Sequence, residues 1–184
     1  MASVLIPLAS GFEELEAVTI IDLLRRAEIE VTVAGLSGPE PVTGSRGTTI
    51  VPDVSLEDVM DIHFDMITLP GGLPGADNLD RDIRIHRLLQ SMQQQGRFVS
   101  AICAAPRVLA NAGVLSGKRA TGYPGHLEKL QRVDIELVDQ AVVVDGRVIT
   151  SKGPGTAMEF SLCLIEQLCG KTRRDQVEGP LQGV

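Results

Sequence analysis

The chain has 184 residues, with 17 Lys+Arg against 24 Asp+Glu, a formal net charge of −7, and only 3% aromatic residues with no Trp. That balance disfavours general attraction to a nucleic-acid backbone, and the shortage of aromatics removes stacking platforms for bases or sugars. One domain spanning residues 1–184 buries roughly 70% of its unfolded surface and needs no disulfide or metal to fold, and three unpaired cysteines, Cys103, Cys163 and Cys169, suit a reducing, cytoplasmic setting.

The opening run Met1 to Ala9 lacks a basic leader and is too short for an export signal or a membrane span. Val4 to Ala9 reads as the first strand, and Gly11 to Arg26 as the first helix. Three glutamates fall in that helix's first turns. Ser10-x-x-Glu13 fits a capping box, which gives Glu13 a structural task. Glu14 projects with Asp22 and Arg25 and is expected in solvent. Glu16 shares a face with Ile20, Leu23 and Ala27, the side that packs on the sheet. A carboxyl buried there without a counter-charge has its pKa raised and can donate or pass a proton.

Glu30 to Ala34 reads as a strand, and Gly35 to Asp53, rich in Gly, Pro, Ser and Thr, as a short antiparallel excursion. A helix over Ser55 to Met60 precedes the strand Met66 to Leu69. The turn Leu69-Pro70-Gly71-Gly72-Leu73-Pro74-Gly75 follows, where glycine lets backbone come close to a ligand and an amide of Gly71 or Gly72 can face a developing oxyanion. A helix is expected over Arg81 to Gln95. His63 and His86 read as surface residues, and no histidine pair has metal-ligand spacing, so no metal or cofactor is expected.

Phe98 to Ile102 is a short apolar strand, and Ala104 to Asn111 has helical composition. Cys103 therefore sits at a strand-to-helix elbow, with Ala101 and Ala105 in the places where the hydrolase form has glycines. The N–H groups and partial positive charge of the following helix favour thiolate over thiol. Oxyanion donors on this side come from Cys103 or Ala104. His126, after Gly122-Tyr123-Pro124-Gly125, raises the alternative of a Cys-His-Glu hydrolase. The strands Ala141 to Val144 and Arg147 to Thr150 form a hairpin through an Asp-Gly turn, and Gly155 to Leu168 is the last expected helix, holding Cys163 with Cys169 at its end. The alternation of strands and helices defines an α/β fold, a mostly parallel sheet with helices on both faces.

Glu13-Glu14-Leu15-Glu16-Ala17-Val18, Leu69-Pro70-Gly71-Gly72, Ala101-Ile102-Cys103-Ala104-Ala105-Pro106 and Gly153-Pro154-Gly155-Thr156 together resemble the parkinsonism-associated deglycase branch of the ThiJ/PfpI superfamily. The resemblance runs nearly end to end. It implies a flavodoxin-like sandwich that forms a homodimer, with Cys103 as nucleophile, Glu16 as its hydrogen-bonded acid and oxyanion stabilisation near Gly72 and Ala104. It also implies that Ser45-Arg46 approaches the partner subunit's site. The implied activity is cofactor-free conversion of glyoxal and methylglyoxal to 2-hydroxy acids, with removal of early glycation adducts from proteins or nucleotides. Oxidation of the cysteine to sulfinic acid, in stress protection or as a chaperone, is the alternative role. Tyr123 replaces a histidine that some relatives carry near the cysteine, which leaves Glu16 as the main proton carrier. Ala104 stands where the intracellular-protease branch has a histidine, which argues against peptidase activity.

Overall fold

The computed structural model describes residues 1–182. Its elements in chain order are β1 (Ser3–Leu8), α1 (Glu14–Arg26), β2 (Glu30–Gly35), β3 (Val42–Thr43), β4 (Thr49–Ile50), β5 (Val54–Ser55), β6 (Met66–Leu69), α2 (Gly75–Arg81), α3 (Ile83–Gln94), β7 (Phe98–Ile102) and α4 (Pro106–Asn111). They continue with β8 (Lys118–Ala120), β9 (Ile135–Leu137), β10 (Val142–Asp145), β11 (Val148–Ser151), α5 (Ala157–Cys169) and α6 (Lys171–Leu181). Seven strands form one sheet in the order β10-β11-β7-β6-β1-β2-β5, parallel except for β10.

The inner order β2-β1-β6-β7-β11 is that of a flavodoxin-like fold. Alternate residues of each strand face opposite helix layers, as the two-residue pleat requires. Leu5, Val99 and Ala101 pack with Leu88 and Leu89 of α3 and Val108 and Leu109 of α4. Val4, Ile6, Phe98 and Ile102 pack with Ile20 and Leu24 of α1 and Phe160 and Leu164 of α5. Strand order reverses between β1 and β6, and in such sheets ligands bind beyond the carboxyl ends of the strands at that point. Among the described residues no helix is long and apolar enough to cross a membrane.

Several sequence expectations need correction. The Ser10–Glu13 capping box does not form: α1 starts at Glu14 with no side-chain cap, because Glu13 N–H donates to Gly71 O at 2.9 Å and Gly11 N–H to Thr43 O at 2.8 Å. Those bonds draw the chain across to neighbouring loops before the helix begins. Only Glu57–Val59 of the expected Ser55–Met60 helix is helical, as one 3-10 turn. The expected Arg81–Gln95 helix begins at Ile83, because the Asp82 side chain takes the Arg84 N–H at 2.9 Å and ends α2 there. The hairpin loop is Gly146-Arg147 rather than Asp-Gly, since Asp145 pairs with Val148, and Gly146 has φ +63°. His86 is not a free surface residue: its Nε2 lies 2.7 Å from Asp80 O.

Glu14 is the largest departure. It is buried, because the turn joining β3 to β4 folds over the outer side of α1. Its Oε1 accepts the N–H groups of Arg46 at 2.6 Å and Thr48 at 3.2 Å, and its Oε2 accepts Ser45 Oγ at 3.2 Å. Burial pushes this carboxyl's pKa up, and its own N–H together with these donors more than reverses the push, so the group stays ionised. Gly44 is required above it, since a Cβ there would stand 2.5 Å from Glu14 Cδ. Glu14→Ala strands two backbone donors and is expected to cost about 2 kcal/mol in urea unfolding. Amide exchange at Arg46 and Thr48 is expected to accelerate with it; unchanged protection there would show that the turn holds itself.

Candidate active site

The elbow is present in the backbone itself. Cys103 has φ +64°, a left-handed conformation that a non-glycine residue adopts only at a cost on the order of 1–3 kcal/mol. Hydrogen bonds on both sides fix it: Cys103 N–H donates to Ser151 O at 3.0 Å, and Cys103 O accepts Tyr123 N–H at 2.7 Å. Ala105 N–H returns to Ile102 O at 3.1 Å, which closes the turn, and the small side chains of Ala101 and Ala105 are fully buried against it. The helix beyond is short: α4 begins at Pro106, not Ala104, and has six residues. The expectation that the following helix favours thiolate over thiol does not hold: burial dominates and pushes the Cys103 thiol up to about 12.

Three loops meet at the sulfur. From the end of β6, Gly71 comes so close that a Cβ on it would lie 2.7 Å from Cys103 Cβ and 2.8 Å from Glu16 Oε2. No other residue type fits between the acid and the thiol. Gly72 follows with φ +90°, in contact with the backbone of Phe12 and Glu13. The N–H groups of Gly72 and Ala104 belong to the two loops beside the Cys103 sulfur and partly offset the burial that opposes its negative form. Gly71 is not an oxyanion donor, because its N–H is already given to Glu16 Oε2 at 2.8 Å.

Glu16 is wholly buried, as the helix periodicity predicts. Its Oε2 takes the Gly71 N–H, whereas its Oε1 is buried without a protein partner, and the carboxyl is coupled to the Cys103 thiol. Burial raises the Glu16 pKa to about 7, opposed by the Gly71 N–H and the thiol. Burial also pushes the Cys103 thiol up to about 12, helped by the adjacent Glu16 charge and opposed by the Gly72 and Ala104 amides. The two groups titrate as a pair, and a proton on Glu16 removes the charge that opposes the thiolate. An acid carrying its proton on Oε1 also gives that orphan oxygen a use, as donor to the sulfur.

The other candidate residues separate into two sets. Tyr123 borders the site, with its ring 3.2 Å from where a Gly153 Cβ would be, a point itself 3.9 Å from Cys103 Sγ. His126 stacks edge-on against Tyr123 at 5.9 Å between ring centroids, and among the described residues no hydrogen bond joins it to Cys103. Partial burial and the charges of Arg107 and Lys129 lower its pKa. Arg46 is exposed at the tip of the β3–β4 turn, where its N–H donates to Glu14 Oε1. Cys163 is half-buried on α5 and Cys169 exposed at its end. Sequence reading overlooked Arg107 of α4, which forms an ion pair with Asp77 of α2. A residue four places past the nucleophile was the available signal.

Fold and site together define a flavodoxin-like protein with a cysteine on a strained elbow and a buried acid beside it. The DJ-1/PfpI family profile matches residues 2–167, and the chain belongs to that family. Drosophila melanogaster protein dj-1beta is 47% identical over 175 residues, covering 95% of this chain and 94% of that protein. A crystal structure of Drosophila DJ-1beta superposes with a TM-score of 0.96 at 46% identity, covering 100% of this chain and 98% of the other. Caenorhabditis elegans glutathione-independent glyoxalase DJR-1.2 is 40% identical over 169 residues, 92% of this chain and 89% of that one. Protein DJ-1 homolog A of Arabidopsis thaliana is 45% identical over 97% of this chain, which spans 46% of the plant protein's length.

The pair's protonation sets a pH-dependent stability. Below 4.5 Glu16 is protonated in both folded and unfolded chains, and as pH rises through about 7 the fold must hold the proton or bury a charge. Stability attributable to this group is therefore complete at acid pH and lost across that window. Glu16→Gln removes the titration, and is expected to gain on the parent by up to about 3 kcal/mol between pH 5 and pH 8 in urea unfolding. A difference constant across that range would place the charge on Glu16 in the native state.

Proposed function

We propose that the protein is a cofactor-free, cysteine-dependent glyoxalase acting on 2-oxoaldehydes such as methylglyoxal and glyoxal, and on their early adducts with amines and thiols. The observation that carries this reading is the buried Glu16 carboxyl, one oxygen of which has no partner among the described residues, set across Gly71 from Cys103 on its elbow. The glyoxalase name of the nematode relative supports it.

Glu16 in its ionised form takes the Cys103 thiol proton as the sulfur adds to the aldehyde carbon and forms a hemithioacetal alkoxide. The N–H groups of Gly72 and Ala104 receive that oxygen, a type of contact worth about 3 kcal/mol in the barrier. Glu16 gives its proton to the alkoxide, and as carboxylate it takes the hydrogen from the former aldehyde carbon. An enediol results. Glu16 returns the proton to the adjacent carbon, leaving a 2-hydroxy thioester that water cleaves to the hydroxy acid and the free thiol. The sum is addition of one water with no external oxidant or reductant, in keeping with the absence of any cofactor from the scheme.

A homodimer completes the proposal. Leu15 and Val18 of α1, Val51 after β4 and Met158 of α5 are exposed large apolar side chains, and Val18 and Val51 line one groove. A second copy covering this face would carry its Arg46 toward the neighbouring site. Oxidation of Cys103 to sulfinic acid uses the same sulfur and the same acid, so it is the competing role. Cys103→Ser is expected to reduce lactate formation from methylglyoxal by roughly a hundredfold or more. Unchanged turnover would exclude the mechanism, and negligible turnover by the parent, with selective dioxygenation of Cys103 under mild peroxide, would assign the redox role instead.

A further inference from the structure

Two loops, one carrying the Gly72 amide and the other the Ala104 amide, meet beside one sulfur, and neither is held rigid by its own helix. Helix α2, after Gly72, has seven residues and α4, after Ala104, has six. Helices this short are marginal without tertiary support. Each is nevertheless firmly joined to its amide. Ala76 N–H donates to Gly72 O at 2.9 Å, and Gly75 N–H to Gly11 O at 3.1 Å, so the first turn of α2 is built on Gly72. On the other side Ala105 N–H donates to Ile102 O and Val108 N–H to Ala105 O at 2.8 Å, so α4 continues directly from the elbow.

Leu79 of α2 shares the apolar core with Val108 and Leu109 of α4, and beside that contact the two helices are tied by polar side chains. Asp77, in the first turn of α2, pairs with Arg107, in the first turn of α4. One turn further along both helices, Asn111 Nδ2 donates to Asp80 Oδ2 at 2.7 Å. The Arg107 side chain is only 20% exposed and Asp77 33%, and Arg107 Nε is buried with no partner. A guanidinium taken that far from water, with one nitrogen left unpaired, is costly unless its carboxylate partner holds it. Among the described residues Asp77 is the only acid paired with Arg107.

We propose that the Asp77–Arg107 pair is a positioning clamp that fixes the start of α2 against the start of α4, and so keeps the Gly72 and Ala104 N–H groups aimed together at the Cys103 sulfur. The two residues act through those amides and touch no reacting atom. Other charges near the clamp are His126, which faces Arg107 from the loop after Tyr123, and Glu16, which faces the sulfur from α1. The inference deepens the reading of Gly72 and Ala104 as donors and rests on it in that respect alone.

Asp77→Asn tests the clamp, because charge and position predict opposite signs. By charge alone, losing Asp77 leaves Arg107 uncompensated and lowers the thiol's apparent pKa; by loss of position, the amides leave the sulfur and the apparent pKa rises. The assay is the pH dependence of iodoacetamide alkylation in the full-length protein, followed by mass spectrometry of the Cys103 peptide. An increase of about half a unit or more is expected. No change, or a decrease, overturns the proposal. If Asp77→Asn does not fold, Asn111→Ala, which removes the second tie without changing charge, is read by the same criterion. The thiol is measured directly, so a protein inactive on methylglyoxal but with a raised Cys103 value leaves the clamp standing while the substrate reading fails.

Discussion

The left-handed backbone at Cys103 is the constraint from which the site is built. A residue with a side chain adopts φ +64° only when its surroundings leave no alternative, and here β11, the Tyr123 loop and the Ala105 turn each hold one of its backbone groups. The consequence is a sulfur lifted off the end of a central strand toward the point where strand order reverses. Everything else adapts to that position. Gly71 must lack a Cβ, Ala101 and Ala105 must be small, and Gly72 turns with φ +90° against the backbone of Phe12 and Glu13.

Electrostatics at this point arises from burial rather than from formal charge. Among the described residues nothing cationic pairs with Glu16 and the Gly71 amide is its one backbone donor, so removal from water dominates and the acid retains its proton to about pH 7. Glu14, two residues earlier on the same helix, is also buried but receives several donors and remains charged. The same residue type thus keeps its proton in one place and serves as anion anchor in the other. The number of hydrogen bonds each carboxylate accepts decides between them.

Much of this could be read from residue order. The apolar strands, the Cys103 elbow and the inward face of Glu16 follow from periods of two and 3.6 residues, which are local properties of a chain. The readings that failed concern contacts between distant segments. Glu14 lies on the outer side of its helix by angle and is buried because a turn some thirty residues away folds over it. The strands β8 and β9 are three residues each and partly charged, so they leave no periodic trace, and α6 carries Gly179-Pro180 and buries only Val177, which masks it as a tail.

The sequence by itself determined the layer architecture, the nucleophile candidate and its acid, because each is encoded by side-chain spacing within one element. Tertiary structure alone decided which amide serves which oxygen. Gly71 and Gly72 are indistinguishable in the sequence, yet one N–H is given to Glu16 and the other is left free of it, on the loop beside the sulfur. The difference arises where β1, β6 and β7 end side by side, since hydrogen-bond direction depends on the relative placement of three strands that the chain order does not specify.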